Sequence, residues 1–510
     1  MEAKEENVQI KPIFSGVIME EIYSQYASPD DSLSYAENFQ NDTIGTMTSR
    51  QPFVPISGIA PSAPLSAYVV NNLVNQDKTL IYWKQGNRDL CQDTLITSGS
   101  QTTYGTFFNS ATIRDRFDVI QNVLLITNYG GASAVYTHTG NTTTPAALDT
   151  KFPVSCNIIS AGFVGRIWGT GENIAACNLY YSDVIPSTGI LSLTTAVQQF
   201  LRINANNGDY ITALVRTQEV LYVFTNNGIF RVFSTQSQDN ASISTVGTPC
   251  QEAVVKTKQG IFFYHYSGVY SLGGGAPQEI SRVIYPIIER VPVANQKNVF
   301  GWFDEDHAYW YLGALTGMTL NRYYIIRYTI STGVWTVYST LTDIKYAYSC
   351  YLTEFGATET AQTKNWYPLA VALSNTAVAT FNVDVPLGRQ TSFVGDFAFV
   401  GGTEVANIPL VMETKWYDFS IEDKTKFITG LSVASENAAG FEVEVKLDKN
   451  TNPWVSVGKL SSDYVTLFRD WQSGYFNRLK FRISGYSYGQ KINIGKITAL
   501  LLQDQGYAKG

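Results

Sequence analysis

His138, His265 and His307 are the three imidazoles of the chain, and imidazole is the side chain whose ordinary pKa suits proton transfer near neutrality. They are dispersed, and none stands beside an obvious nucleophile or at a metal-ligand spacing. His265 ends the aromatic run Ile261-Phe-Phe-Tyr, so a place in the core is expected. Asp304-Glu305-Asp306-His307 is the one acidic cluster. A calcium loop would space its oxygen ligands around a glycine-bearing turn, whereas these acids are consecutive between two aromatic runs and read as a solvated hairpin tip. Gly273-Gly-Gly275 follows a strand but lacks the lysine and the following helix of a phosphate loop. Cys91, Cys156, Cys177, Cys250 and Cys350 are odd in number, with no CxxC pair or zinc-ligand cluster, and read as reduced core residues. No catalytic, cofactor-binding or metal-binding residue is assigned, no cofactor is expected, and the chain is read as not an enzyme. Propeller hydrolases gather acids on a central channel, and linear order does not show which acids converge.

The elements that would position such residues are repeated hairpins. The two clearest are Arg216-Thr-Gln-Glu-Val-Leu-Tyr-Val-Phe-Thr-Asn-Asn-Gly-Ile-Phe-Arg-Val-Phe233 and Lys256-Thr-Lys-Gln-Gly-Ile-Phe-Phe-Tyr-His-Tyr-Ser-Gly-Val-Tyr-Ser-Leu272. Each begins with a basic residue and is expected to close on Asn-Gly or Ser-Gly, where glycine and asparagine supply positive φ. Runs such as Val220-Leu-Tyr-Val-Phe are apolar throughout, which predicts strands buried on both faces. Weaker copies begin at Leu80, Val123, Gly165, His307 and Trp366. With Asn122, Gly165, Glu219, Gly260, Asp306 and Asn365 as markers, the steps are 43, 54, 41, 46 and 59 residues, close to the roughly 40–50 of one four-stranded propeller blade. The fold class read from this is all-β: a degenerate β-propeller of about six or seven blades, with a stacked sandwich as the other arrangement of the same hairpins.

Residues 1–65, punctuated by Pro12, Pro29, Pro52, Pro55, Pro61 and Pro64, read as an extended N-terminal segment. Residues 66–402 hold the hairpin repeats, with residues 137–147 as an exposed polar loop and the best short helix at Ser281–Arg290 around Pro286. After Gly401-Gly402 the pattern turns to strict alternation: Phe441, Val443, Val445 and Leu447 against Glu442, Glu444 and Lys446. That is a strand with one wet face, and residues 403–510 read as a C-terminal β-sandwich.

Aromatic residues make up 13% and charged residues 15% of the 510, a charge content well below the usual quarter. Such a surface suits either extensive interfaces or an extracellular β-rich protein. The net charge of −7 provides no basic field to gather nucleic acid. No run approaches the roughly 20 apolar residues of a membrane span, and Met1-Glu-Ala-Lys-Glu-Glu-Asn lacks the apolar core of a secretory signal, so synthesis in the cytoplasm is expected.

The stretch Ala36-Glu-Asn-Phe-Gln-Asn-Asp-Thr-Ile-Gly-Thr-Met-Thr-Ser-Arg-Gln-Pro-Phe53 resembles the opening of the tail nozzle proteins of short-tailed double-stranded DNA bacteriophages, also called tail tubular protein B or packaged-DNA stabilisation proteins. Asn38, Asp42, Gly45 and Arg50 match, while Gln51 intervenes before Pro52. The segments starting at Glu413, Lys426 and Trp454, and Phe476–Gly485, are similar to the terminal sandwich of those proteins. The resemblance implies a structural protein of the virion tail, made in the host bacterial cytoplasm and assembled as a hexameric ring. Its partners would be the adaptor ring below the portal and a tail fibre or spike, with double-stranded DNA passing through the lumen without sequence preference. A propeller adhesin for a host-surface glycan or receptor, and a propeller glycosidase, are the other readings. Residues 137–147 are gate candidates by exposure.

Overall fold

A computed structural model of the chain describes residues 5–503 apart from 11–32, 41–46, 51–53, 58–63, 74–75, 95–101, 141–142, 172–176, 187–190, 192, 204–207, 240, 305, 320–321, 341–342, 354–365, 375–377, 382–396, 401–402, 407, 418–425, 450, 469–470, 472, 474 and 488–490. Seven antiparallel sheets follow one another as blades of a propeller. Blade 1 is Ser66–Leu73, Gln76–Lys84, Asp89–Thr94 and Thr102–Thr106; blade 2 is Phe117–Ile120, Val123–Thr127, Val135–His138 and Ala146–Leu148. Blade 3 is Ile158–Ala161, Ile167–Thr170, Asn178–Tyr181 and Phe200–Arg202, and blade 4 is Ile211–Arg216, Leu221–Thr225 and Ile229–Val232. Blade 5 is Val254–Lys256, Ile261–His265, Gly268–Leu272 and Gln278–Glu279; blade 6 is Phe300–Asp304, His307–Gly313, Tyr323–Thr329 and Val334–Thr340. Blade 7 takes Ile344–Thr353, Trp366–Ser374 and Val378–Phe381 from late in the chain and its outer strand, Val54–Ser57, from near the start. The first strand of blade 7 also lies against that of blade 1, which closes the ring.

The uninterrupted apolar runs have their explanation in this stacking. Leu124 and Ile126 pack toward blade 1 with Tyr82 and Leu80, while Val123 and Leu125 pack toward blade 3 with Ile159 and Ile167. In blade 4, Leu221 and Val223 meet Trp168 and Leu179 of blade 3, and Tyr222 and Phe224 meet Ile261 and Phe263 of blade 5. Both faces of a blade are therefore interior, so the period-two signal of a half-wet strand disappears. The turns differ from expectation. The first hairpin turns on Asn226-Asn227 without positive φ, since Thr225 N–H donates to the Gly228 carbonyl at 2.8 Å; Gly228 follows the turn, where a Cβ would lie tightly, 3.1 Å from the Ser244 carbonyl oxygen. The next hairpin turns on Tyr266-Ser267, since His265 already pairs with Gly268. Positive φ at both turn residues occurs instead at Gln121 (49°) and Asn122 (58°), between the paired Ile120 and Val123. The expected short helix is present as a 3-10 turn, Arg282–Ile284, running into Tyr285–Ile288 with Pro286 in its first turn, where the missing N–H is no loss.

The C-terminal strands form the expected sandwich. One layer contains Lys426–Glu436, Val465–Phe468 and Asn493–Gln503, and the other Ile408–Thr414, Glu442–Leu447, Val455–Lys459 and Leu479–Ser487. Ile428, Val433 and Ile497 of the first layer share a core with Met412, Val443, Phe481 and Ile483 of the second. On the wet face Arg482 pairs with both Glu413 and Glu444 at 3.1 Å and lies over the Trp454 ring.

The described residues of the N-terminal segment are extended, as expected, and pair within the chain. Glu5–Ile10, Phe39–Gln40 and Met47–Ser49 belong to the first sandwich layer. Leu33–Glu37 lies between blade 6 and the sandwich, parallel to Val334–Thr340 and antiparallel to Ile408–Thr414, and fuses both into one nine-stranded sheet. Its end is clasped by Asn38, at φ 63° and fully buried. The Asn38 amide donates to Ser339 Oγ at 3.0 Å and to the Pro409 carbonyl at 2.7 Å; its oxygen accepts from Arg50 Nε and Ser339 N–H, both at 2.8 Å. Asp42, Gly45 and Pro52 lie outside the described residues. Replacing Asn38 by Ala removes four buried hydrogen bonds and places an alanine at positive φ, so a loss of about 3–5 kcal/mol is expected. Asn38→Gly, which relieves the backbone term, should lose less by about 1 kcal/mol. Urea unfolding of the two variants is the check; an Asn38→Ala loss below about 1 kcal/mol would show that the clasp does not hold the modules together.

Candidate functional site

The first strands of the blades surround the propeller axis, and there they line a cavity of about 340 Å³, at the small end of the roughly 300–1,000 Å³ of ligand pockets. Its wall includes Ser66 and Tyr68 of blade 1, Asp115 to Asp118 of blade 2, Ser160 of blade 3, Arg216 of blade 4, Glu252 and Lys256 at blade 5, and Gly301 of blade 6. Gly301 is a close-approach position: a Cβ there would come within 2.4 Å of Val255.

The deep part of the cavity is braced by paired charges. Lys84 Nζ donates to Asp115 Oδ2 at 2.6 Å with both side chains fully buried, and to the Ile113 carbonyl at 2.7 Å. Asp115 also accepts from the Tyr129 N–H at 2.7 Å. Burial pushes the Asp115 carboxyl up and the Lys84 amine down, and their contact opposes both shifts. Arg116 meets Glu252 side-on, Nε 2.9 Å from Oε1 and Nη2 3.0 Å from Oε2, with Arg114 3.6 Å away. Burial would raise the Glu252 carboxyl, but the attraction of Arg116 and Arg114 outweighs it and the group is held below its ordinary value. These contacts tie blade 2 to the 3-10 turn leading into blade 5 across the axis.

The mouth, at the C-terminal ends of the inner strands, is looser. Asp118 accepts backbone N–H groups from Val119 at 2.8 Å and Ala161 at 2.7 Å, while Arg216 Nη2 stands 3.7 Å from its Oδ1, beyond hydrogen-bond distance. Burial pushes the Asp118 carboxyl up, against the pull of Arg216. Lys256 Nζ donates to the Arg216 carbonyl, and among the described residues no carboxylate lies within 4.0 Å of it. Burial and then repulsion by Arg216 lower its amine, with Asp118 acting the other way.

None of the histidines reaches this cavity. His138 is buried between blades 1 and 2, its Nδ1 2.9 Å from the Tyr82 hydroxyl and its Nε2 3.1 Å from the Thr143 carbonyl oxygen. Residues 137–147, read as a gate candidate, thus include the end of one strand, a buried histidine and the start of the next. His265 is buried; its Nδ1 lies 2.7 Å from Ser267 Oγ, and that oxygen is 2.8 Å from the Tyr270 hydroxyl. Its Nε2 has no hydrogen-bond partner among the described residues, and burial lowers the ring to about 4. Asp304 pairs with His307 in a tight hairpin, where Asp306 accepts the Ser331 N–H at 3.0 Å. Among the described residues no group of three His, Cys, Asp or Glu could hold a metal ion. Cys91, Cys156, Cys177 and Cys250 are buried free thiols. Missed in the sequence were the acids Asp115, Asp118 and Glu252, which do converge on the axis. Arg216 and Lys256 carried a signal, since each is the basic residue that opens a hairpin repeat.

No protein-family model matches the chain, and no curated protein does. Solved structures to which it is similar include YCF48 bound to D1 peptide, at 10% identity over 68% of this chain and 98% of that one, TM-score 0.36. Another is the extracellular domain of the putative one-component system BT4673 from B. thetaiotaomicron, at 12% identity over 94% of this chain and 64% of that one, TM-score 0.44. A third is exo-beta-1,3-galactanase from Phanerochaete chrysosporium with galactose, at 11% identity over 76% and 96%, TM-score 0.23. This third likeness corrects the reading of the chain as a non-enzyme, which is withdrawn; it assigns no reaction. No helix among the described residues is long and apolar enough to cross a membrane.

Two outcomes follow from the charges. Lys84→Met or Asp115→Asn alone strands a buried partner and should cost about 3–5 kcal/mol, while Lys84→Met with Asp115→Leu recovers most of it; additive losses in urea unfolding would contradict the pairing. For His265 the folded state disfavours the proton, so its contribution is complete above the unfolded pKa of about 6.5 and is lost as pH falls toward 4. Over that range the protein should lose about 2–3 kcal/mol more than His265→Gln does. Parallel pH profiles for the two proteins would refute the assignment.

Proposed function

We propose that the chain is a structural virion protein that forms the tail nozzle below the portal and adaptor of a short-tailed bacteriophage, retaining packaged DNA and conducting it during ejection. The observation that carries this reading is where the resembling segments meet. Asn38 and Arg50, from the N-terminal motif, clasp Ser339 of blade 6 and Pro409 of the sandwich. Ser34 Oγ donates to the Thr414 carbonyl at 2.8 Å, and Glu413 pairs with Lys480 and Arg482. Segments far apart in sequence thus build one stiff joint between two modules, as suits a subunit that must keep its shape under axial load. The propeller's own axis is crossed by the Arg116–Glu252 pair and cannot pass a duplex, so the conduit is the lumen enclosed by a ring of copies. An acidic chain is favourable there, because many lysine–phosphate contacts would hold DNA in place.

The second reading is a propeller adhesin for a host-surface glycan or receptor, and the sugar-sized axial cavity favours it. Native mass spectrometry and electron micrographs of the full chain, alone and with portal and adaptor, separate the two. A hollow ring of six copies is expected. A monomer that joins no ring under either condition, together with saturable glycan binding, would replace the nozzle by the adhesin.

A further inference from the structure

The axial cavity differs along its length in how completely its charges are matched. Three cations, Arg116, Arg216 and Lys256, and three carboxylates, Asp115, Asp118 and Glu252, line it. Behind that wall Lys84 pairs with Asp115, and Arg114 stands beside the Arg116–Glu252 pair. The deep pairs are closed at 2.6 and 2.9 Å, which leaves Arg216 and Lys256 at the mouth with one carboxylate, Asp118, to share. There Arg216 is 3.7 Å from its acid, and the oxygens of that acid already accept two backbone N–H groups. Lys256 has a carbonyl for one of its three protons and, among the described residues, no carboxylate in reach.

Two like charges held side by side at a half-wet mouth repel each other, and a bridging anion removes that repulsion while accepting charge-assisted hydrogen bonds from both. Guanidinium and ammonium together match the oxygens of a carboxylate or a phosphate. The wall also includes Ser160 and Tyr68, and the cavity has space for a compact polar body.

We propose that the mouth of the axial cavity binds a small oxyanion-bearing ligand, its carboxylate or phosphate held between Arg216 and Lys256. The site does not depend on the nozzle reading, because it lies within one propeller. Isothermal titration of the full chain at pH 7 with glucuronate and, separately, with inorganic phosphate tests it and distinguishes a sugar acid from a free phosphate. At least one should bind saturably with one site per chain, and raising the salt should weaken it. Lys256→Met and Arg216→Gln should each reduce affinity at least tenfold, whereas Lys459→Met, an exposed residue on the sandwich, should not. Lys256→Gln serves in place of the methionine variant if that protein misfolds, and equal urea midpoints show that each variant is folded. Absence of saturable binding by both anions, or binding that both mouth variants retain, would overturn the proposal.

Discussion

The strands contributed by the first 57 residues are the constraint on which the rest of the molecule depends. A propeller is an open stack until its last sheet is tied to its first, and here Val54–Ser57 closes it as the outer strand of blade 7. Earlier in the same segment Leu33–Glu37 lies between blade 6 and the sandwich. Because the same short segment performs both tasks, the two modules are fixed relative to each other. The Asn38 clasp carries this constraint through directional bonds in a buried place, where each donor must find its acceptor or bear the cost of desolvation.

Closing the ring creates the axial cavity. Inner strands are wide apart enough to leave space and near enough for side chains from different blades to meet. The Arg116–Glu252 pair crosses that space between opposed blades, and the Lys84–Asp115 pair joins successive blades at its wall. The low dielectric of the interior makes such pairs costly to break and geometrically demanding. The mouth is different because solvent reaches it, so Arg216 and Lys256 are tolerated there without full pairing.

Much of the architecture was legible. The apolar runs of blades 4 and 5 announced strands buried on both faces, and the core packing of Tyr222, Phe224, Ile261 and Phe263 has that form. The alternation at Phe441–Leu447 announced one wet face, and Val443 and Val445 are buried while Glu442 and Glu444 are not. The turns were less legible, because glycine serves two needs that look alike in sequence. Gly228 allows a close approach to Ser244, not a positive φ.

The sequence by itself determined the all-β class, the hairpin repeat and its blade-sized spacing, the sandwich pattern and the burial of Cys91, Cys156, Cys177, Cys250 and His265, because these follow from local periodicity and composition. Only the tertiary structure decided that Val54–Ser57 closes blade 7, that Asn38 and Arg50 meet Ser339 and Pro409, and that Asp115, Asp118, Glu252, Arg216 and Lys256 share one cavity. Those contacts join residues tens to hundreds of positions apart. Periodicity reports which face of a strand is dry, but which strands become neighbours is fixed only when the ring closes and most buried polar groups find their partners.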